Sequence, residues 1–211
     1  MNSSFHRPHL TTTYARWRDE TPAHFLFSVK LPRSITHEAR LRRCNAEVAQ
    51  FYGEIAYLQP KLAAVLVQLP PTLEFSAAIV RTFFRRAPTL RGTVVTCEPR
   101  HASWFTTAAD EALRRVNVAR VAADPAKHAG ANVPGGEPRF AYFRWHGTPQ
   151  MYYSKYSDTQ LAAFALNVTM AGAMTAWCVF DNTARYAAWD DALRFSKMLK
   201  QPKTSFKRAR E

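Results

Sequence analysis

The residues able to do chemistry fall at the ends of apolar runs. Lys30 closes FLFSVK (25–30), Gln68 follows the run from Leu62, and Glu98 follows GTVVTC (92–97). Asp124 ends NVARVAAD, Arg144 and His146 end the aromatic run from Arg139, and Asn182 ends TAWCVFDN. A carboxylate, an imidazole and two cations gathered at one mouth make an acid–base site for an anionic molecule. Glu98 is then the general base or acid, and His146 the second proton-transfer group. Lys30 and Arg144 hold a carboxylate or phosphate, Arg144 as a two-pronged fork. Gln68 and Asn182 orient hydroxyls. Any one polar strand end is more often a cap than a ligand, and Glu98 has a competing role in an ion pair with Lys30 or Arg144. Six runs obeying one rule point to a pocket.

Other chemistries fit less well. Glu98, His101, His146 and Asp181 have donor types suited to a divalent metal, which makes a metal-assisted hydrolase or isomerase the alternative. No HExxH motif is present, and Lys30 and Arg144 at the same mouth repel a cation, so no metal ligand and no cofactor is assigned. No GxGxxG or GxxxxGK[ST] turn follows any run. A glycosidase needs two carboxylates flanking a bond. Strand parity turns Asp181 away from Glu98, and Asp124 lies beside a loop. The net charge of +13 permits nucleic acid. The basic residues are spread along the chain and the aromatics follow core periodicity, so nucleic acid is not favoured as a partner.

Strands and helices must position these groups. Side chains alternate along a strand, so Tyr142, Arg144 and His146 share one face, and Phe143 and Trp145 the other. By the same parity Lys30 goes with Ser28 and Leu26, Glu98 with Thr96, and Gln68 with Leu66 and Ala64. Asn182 goes with Phe180 and Cys178, leaving Trp177 and Val179 for the opposite face. Helical patterns occupy about 10–20, 38–58, 74–86, 104–115, 157–170 and 184–200. Thr11–Thr13, Thr36 and Ser157 are capping candidates. Alternating strands and helices predict parallel strands with right-handed crossovers. The fold class is α/β, a (β/α) barrel of TIM type or an open doubly wound sheet. In a barrel the polar strand ends line the carboxyl-end mouth. The Pro- and Gly-rich stretch 125–138 replaces one helix with a long loop, expected to cover the pocket.

Composition sets the outer bounds. At 211 residues and 47% hydrophobic, residues 1–200 make one domain, and 201–211 make a basic tail expected to be disordered. No run of eighteen apolar residues occurs, so no membrane span is expected. Three scattered cysteines, Cys44, Cys97 and Cys178, fit a reducing cytoplasm.

Several stretches resemble one family in its own order. They are NSSFHRP (2–8), Trp17-x-x-x-Thr21-Pro22, FLFSVKLPRSITH (25–37), VLVQLPP (65–71) and CEPRHASW (97–104). RWHGTPQMYYSKYS (144–157) and VFDNT (179–183) complete the set. The chain resembles the domain of unknown function 72, or YecE-like, family of (β/α)-barrel proteins. The resemblance implies the barrel and its mouth, and its motifs add Asn2, His37, His101 and Tyr153 to the substrate-binding set. It carries no reaction. His6 stands where the family usually has Tyr, and Asp181-Asn182 where it usually has Asn-Asn.

The family's first strand, first helix and most of its second strand have no counterpart here. A TIM barrel takes about 250 residues, and about six clear parallel strands are visible. The expectation is a barrel incomplete at the N-terminus, with Met1 an internal methionine of a longer reading frame. Strands 25–30 and 175–182 then each lack a neighbour, and self-association through the open edges follows.

Overall fold

The computed structural model describes residues 1–88 and 90–200. In chain order the strands are β1 (Phe27–Lys30), β2 (Leu62–Gln68), β3 (Val94–Glu98), β4 (Val118–Arg120), β5 (Ala122–Asp124), β6 (Gly135–Gly136), β7 (Phe140–Trp145) and β8 (Thr175–Phe180). The α-helices are α1 (Thr11–Glu20), α2 (Asn45–Ile55), α3 (Ala77–Arg86), α4 (Thr107–Arg114), α5 (Asp158–Met170) and α6 (Ala187–Lys200). The fold is mixed α/β with parallel strands, as the alternation predicts. The tail from residue 201 lies outside the described residues.

Two sheets form, in the orders β1-β2-β3-β4-β6 and β5-β7-β8. All pairings are parallel except the short β4–β6 pairing. The predicted strand 117–124 is split at Val121: its first half pairs with β3 and its second with β7. Val121 still donates its amide to the Cys97 carbonyl at 2.8 Å, so the chain stays on the first sheet up to the residue where it leaves. No closed barrel forms among the described residues, because β1 and β8 are both sheet edges. Met1 lines the outer side of β1, donating its amine to the Ser28 carbonyl and accepting from the Lys30 amide, and the Ser4 hydroxyl donates to the Lys30 carbonyl.

Alternation sorts the side chains as expected on most strands. Val65, Val67 and Cys97 pack outward against helices α2, α3 and α4, around Ile55, Phe83 and Leu113. Phe143 and Trp145 pack outward against α5 and α6, where Trp145 stacks on Phe164 at 4.4 Å. Ala64, Leu66, Ala119, Val121, Phe140 and Tyr142 form the inner cluster.

Strand β8 reverses the expected parity. Trp177 and Val179 belong to the inner cluster, while Cys178 and Phe180 face the helices. Both faces of this strand are bulky and apolar, so side-chain character alone does not choose between them. Trp177 lies nearly parallel to Tyr142, ring centroids 6.3 Å apart. An indole fits inside because no strand stands between β8 and β1.

The predicted helix 38–58 is also interrupted. A single helical turn, Ser34–Glu38, contains Thr36, and α2 starts only at Asn45. Arg40, Leu41 and Arg43 between them have positive φ. Each such residue costs about 1–2 kcal/mol. Leu41 becomes buried there, worth about 1.5–3 kcal/mol, and Arg40 donates to the Thr72 carbonyl and hydroxyl. Thr11–Thr13 do not cap α1: Leu10 precedes it with no side-chain bond. Ser157 does cap α5, reciprocated by Gln160 in a capping box.

The loop 125–138 is pinned from below. Buried Arg120 donates to the carbonyls of Gly130 and Val133 and pairs with Asp110 of α4. Gly136, at φ +69°, lies tightly against β4 and α4, where any Cβ would meet the Val118 carbonyl and Leu113. The end of the loop therefore occupies the helix layer. Its first half reaches the strand ends, with the His128 ring 3.2 Å from the Arg100 carbonyl.

Candidate functional site

The carboxyl ends of four strands, two from each sheet, bring opposite charges together. Glu98 ends β3, Gln68 ends β2, Arg144 is one residue from the end of β7, and Asp181 follows β8. Inward parity on each strand aims these side chains at one point. Arg144 is 2% exposed and binds on both sides: Nη1 donates to Glu98 and to Gln68 Oε1 at 3.2 Å, and Nη2 donates to Asp181 Oδ2 at 2.6 Å. Arg100, just past β3, places Nη2 2.6 Å from the other Glu98 oxygen.

His146 lies between the two carboxylates. Its Nδ1 is 3.1 Å from Asp181 Oδ2, and its Nε2 is 3.3 Å from both Glu98 Oε1 and Arg100 Nη2. With the proton on Nδ1, His146 donates to Asp181 and accepts from Arg100. With both nitrogens protonated it donates to both carboxylates. The ring is therefore placed to take or release a proton at Nε2 with a hydrogen bond waiting in either state. Its backbone is fixed by a hydrogen bond from the His146 amide to the Asp124 carbonyl at 2.8 Å. Gly147 follows at φ +95°, where a Cβ would come within 2.9 Å of the Ser154 carbonyl. The Gly147 amide donates to the Tyr156 hydroxyl, which donates to Asp124.

The electrostatics follow from burial and pairing. Burial by itself raises the Glu98 pKa. Arg144, the hydrogen bond to His146 and Arg100 outweigh it and hold the carboxyl well below its ordinary value. Asp181 balances burial against His146 and Arg144 and is also lowered. Lys30, at the end of β1, moves the other way for a cation. Burial and Arg144 bring its ammonium down to about 8, against the opposing pull of Glu98 and Asp181. No carboxylate or carbonyl partner of its Nζ occurs among the described residues. Nζ sits instead 3.7 Å from the centroid of Phe5.

The expected site residues divide into three groups. Glu98, His146, Arg144 and Gln68 come together directly. Lys30, Asn2 and His37 border them: Asn2 Nδ2 is 3.3 Å from Asp181 Oδ1, and the His37 ring packs edge-on against Phe5 at 5.2 Å. His101, Tyr153 and Asn182 are placed elsewhere. His101 accepts from the Ser103 amide and starts the turn Ala102–Trp104. Tyr153 is a surface residue beneath the Arg185 guanidinium. Asn182 is fully buried on the helix side, donating to Asp191 and to the Ser154 carbonyl.

Asn182 and Asp181 therefore exchange the roles parity assigned them, because β8 is turned over. Arg100 joins the cluster without having been among the expected site residues, and Asp181, expected only as a metal donor and turned away by parity, faces the mouth. The signal for Arg100 was its spacing, two residues past Glu98 where the chain still runs along the mouth. The quartet considered for a metal is not assembled. His101 faces away, and Arg144 and Arg100 occupy the space between the carboxylates.

Comparison with known proteins agrees with this fold. A family model described as "Protein of unknown function DUF72" matches residues 1–211. The UPF0759 protein YecE of Escherichia coli (strain K12) is 37% identical over 70 residues, covering 29% of this chain and 26% of that protein. The matched stretch thus spans about a quarter of the curated relative. A crystal structure of a DUF72 family protein from Enterococcus faecalis V583 superposes with TM-score 0.80 at 19% identity, covering 96% of this chain and 84% of that one. One from Thermotoga maritima MSB8 superposes with TM-score 0.79 at 24% identity, covering 94% and 82%. With the family model matched along its whole length, this chain belongs to the DUF72 family.

Proposed function

We propose that the two sheets act as one (β/α) barrel of TIM type, open between β8 and β1, whose carboxyl-end mouth binds a small anionic molecule. Bound there, the molecule undergoes acid–base chemistry with Glu98 and His146, and the protein works in the cytoplasm. One observation carries the reading. Among the described residues, Lys30, Arg100 and Arg144 face two carboxylates, Glu98 and Asp181, and Lys30 is the cation left without an anionic partner. A ligand carboxylate or phosphate completes the balance. Two further features support it: no membrane-spanning helix among the described residues and three free cysteines.

Glu98 has a structural share in this arrangement. A carboxylate held by two guanidiniums is a poor proton acceptor until one of them turns to a ligand. Arg100 is the partner freer to do so, since its side chain is more exposed than that of Arg144 and it holds one carboxylate where Arg144 holds two. An anion drawing Arg100 away raises the basicity of Glu98 as it binds.

A thermal-shift screen tests the reading, comparing carboxylates and phosphates with their neutral isosteres. Stabilisation by an anion, lost in Lys30→Met while the unliganded melt persists, is the expected result. A screen in which only neutral compounds stabilise the protein overturns it.

A further inference from the structure

The ammonium of Lys30 is unlike every other cation of the mouth. Arg100 and Arg144 are engaged by carboxylates, whereas Lys30 Nζ has no ion-pair partner among the described residues and lies over the Phe5 ring. The residue is 8% exposed, at the carboxyl end of β1. Its neighbours come from every side of the mouth. Glu98 and Arg100 lie at the end of β3, Arg144 on β7, Asp181 after β8, and the Met1 amine along β1. His37 packs on the same Phe5 ring, with Nδ1 bonded to the Thr36 hydroxyl and Nε2 unpartnered among the described residues. An amine with no hydrogen-bond partner among the described residues, beside a base and two guanidiniums, has the surroundings of a nucleophile in its free form as well as of an anchoring cation when protonated.

We propose that Lys30 is an imine-forming nucleophile, and that the substrate is an anion bearing an aldehyde or ketone carbonyl, such as a 2-oxo acid or a phosphorylated aldehyde. The anionic half rests on the reading of the mouth given above. The Nζ lone pair bonds to the carbonyl carbon, and the carbonyl π pair passes to oxygen. That oxygen leaves as water with both Nζ protons, so a C=N bond replaces the C=O bond with no change of oxidation state. His37 supplies a base for the proton transfers, and Arg100 with Arg144 holds the anionic group. A free amine is available near neutral pH because burial and Arg144 lower the ammonium to about 8 from 10.5. At pH 7 that gives roughly three hundred times more free amine than an ordinary lysine has.

Reductive trapping tests the assignment. The full chain is incubated at pH 7 with glyoxylate and sodium cyanoborohydride, and in parallel with neutral propanal, and the labelled lysines are mapped by mass spectrometry. Lys30 is expected to be labelled by glyoxylate roughly tenfold or more faster than the other seven lysines. Lys30→Arg is expected to lose that label while the anion-induced thermal shift persists. Glyoxylate that stabilises the protein without modifying Lys30 overturns the imine and leaves the anion site standing. Propanal that labels Lys30 selectively, with no advantage for glyoxylate, upholds the nucleophile and removes the anion reading. Labelling of Lys30 at the common lysine rate by both probes overturns the proposal.

Discussion

Arg144 Nη2 and Asp181 Oδ2 lie 2.6 Å apart across 37 positions of sequence, joining β7 to the residue after β8 inside the mouth. The same guanidinium holds Glu98 on β3. Arg144 is thus a clamp between the two sheets as well as part of the site. Burying charges costs several kcal/mol per ion, offset only when every charge is paired.

Glu98→Gln therefore reports on both roles. It leaves Arg144 with Asp181 but takes the carboxylate from Arg100. The expected loss is about 3 kcal/mol, toward the low end for breaking a buried pair. The variant is expected to melt cooperatively at lower temperature and to keep the anion-induced shift, because the guanidiniums are left with more unbalanced charge, not less. Equal stability of variant and wild type in urea denaturation would sink the clamp.

Acid should release the same network. Glu98 and Asp181 are held below their ordinary 4.5 and 3.8. The native state then binds these protons less tightly than the unfolded chain. Their stabilisation is full above those values and is lost as pH falls through them toward the lowered native values. Lys30 acts in the alkaline range. Its native value of about 8 lies below the ordinary 10.5, so the unfolded chain binds the extra proton between them, and stability rises across that window. Urea denaturation from pH 3 to 10.5 checks both, with Lys30→Met expected to lack the alkaline rise.

Asn182→Ala separates structure from site. Asp191 is fully buried and accepts from Asn182, from the Tyr156 amide and from Arg194. Removing the Asn182 amide leaves a carboxylate oxygen and the Ser154 carbonyl short of a donor. The expected cost is about 1–3 kcal/mol, with anion affinity unchanged by calorimetry. A large loss of affinity with unaltered stability would return Asn182 to the mouth.

The β8 side of the molecule is expected to pair with a second copy. β8 is an edge strand, and the adjoining helices expose Leu166 and Met170 of α5 and Trp189 and Leu193 of α6, Trp189 by 76%. An unpaired backbone edge beside apolar side chains is a template for another copy of itself. Sedimentation velocity should show concentration-dependent association, abolished in Trp189→Glu/Leu193→Glu. A wild type that stays monomeric at all concentrations would refute the pairing.

The sequence by itself determined the order of strands and helices, because period-2 and period-3.6 patterns are local properties of the chain. It also determined which residues end the strands. Ser157 was legible as a cap because the cap and its Gln160 partner lie within one turn. Inward parity was legible on β2, β3 and β7, where one face is visibly more polar than the other toward the end. On β8 both faces are apolar, and only the packing of Trp177 on Tyr142 chose which one turned in. That choice put Asp181 in the mouth and Asn182 against Asp191. The break at Arg40–Arg43 was equally hidden, since it depends on burying Leu41 and on Thr72, 32 residues beyond Arg40. The pairing of Arg144 with Glu98 and Asp181, and the absence of an anionic partner for Lys30 among the described residues, were decided by the tertiary structure alone. Charge balance belongs to distances across strands, and no spacing along the chain encodes them.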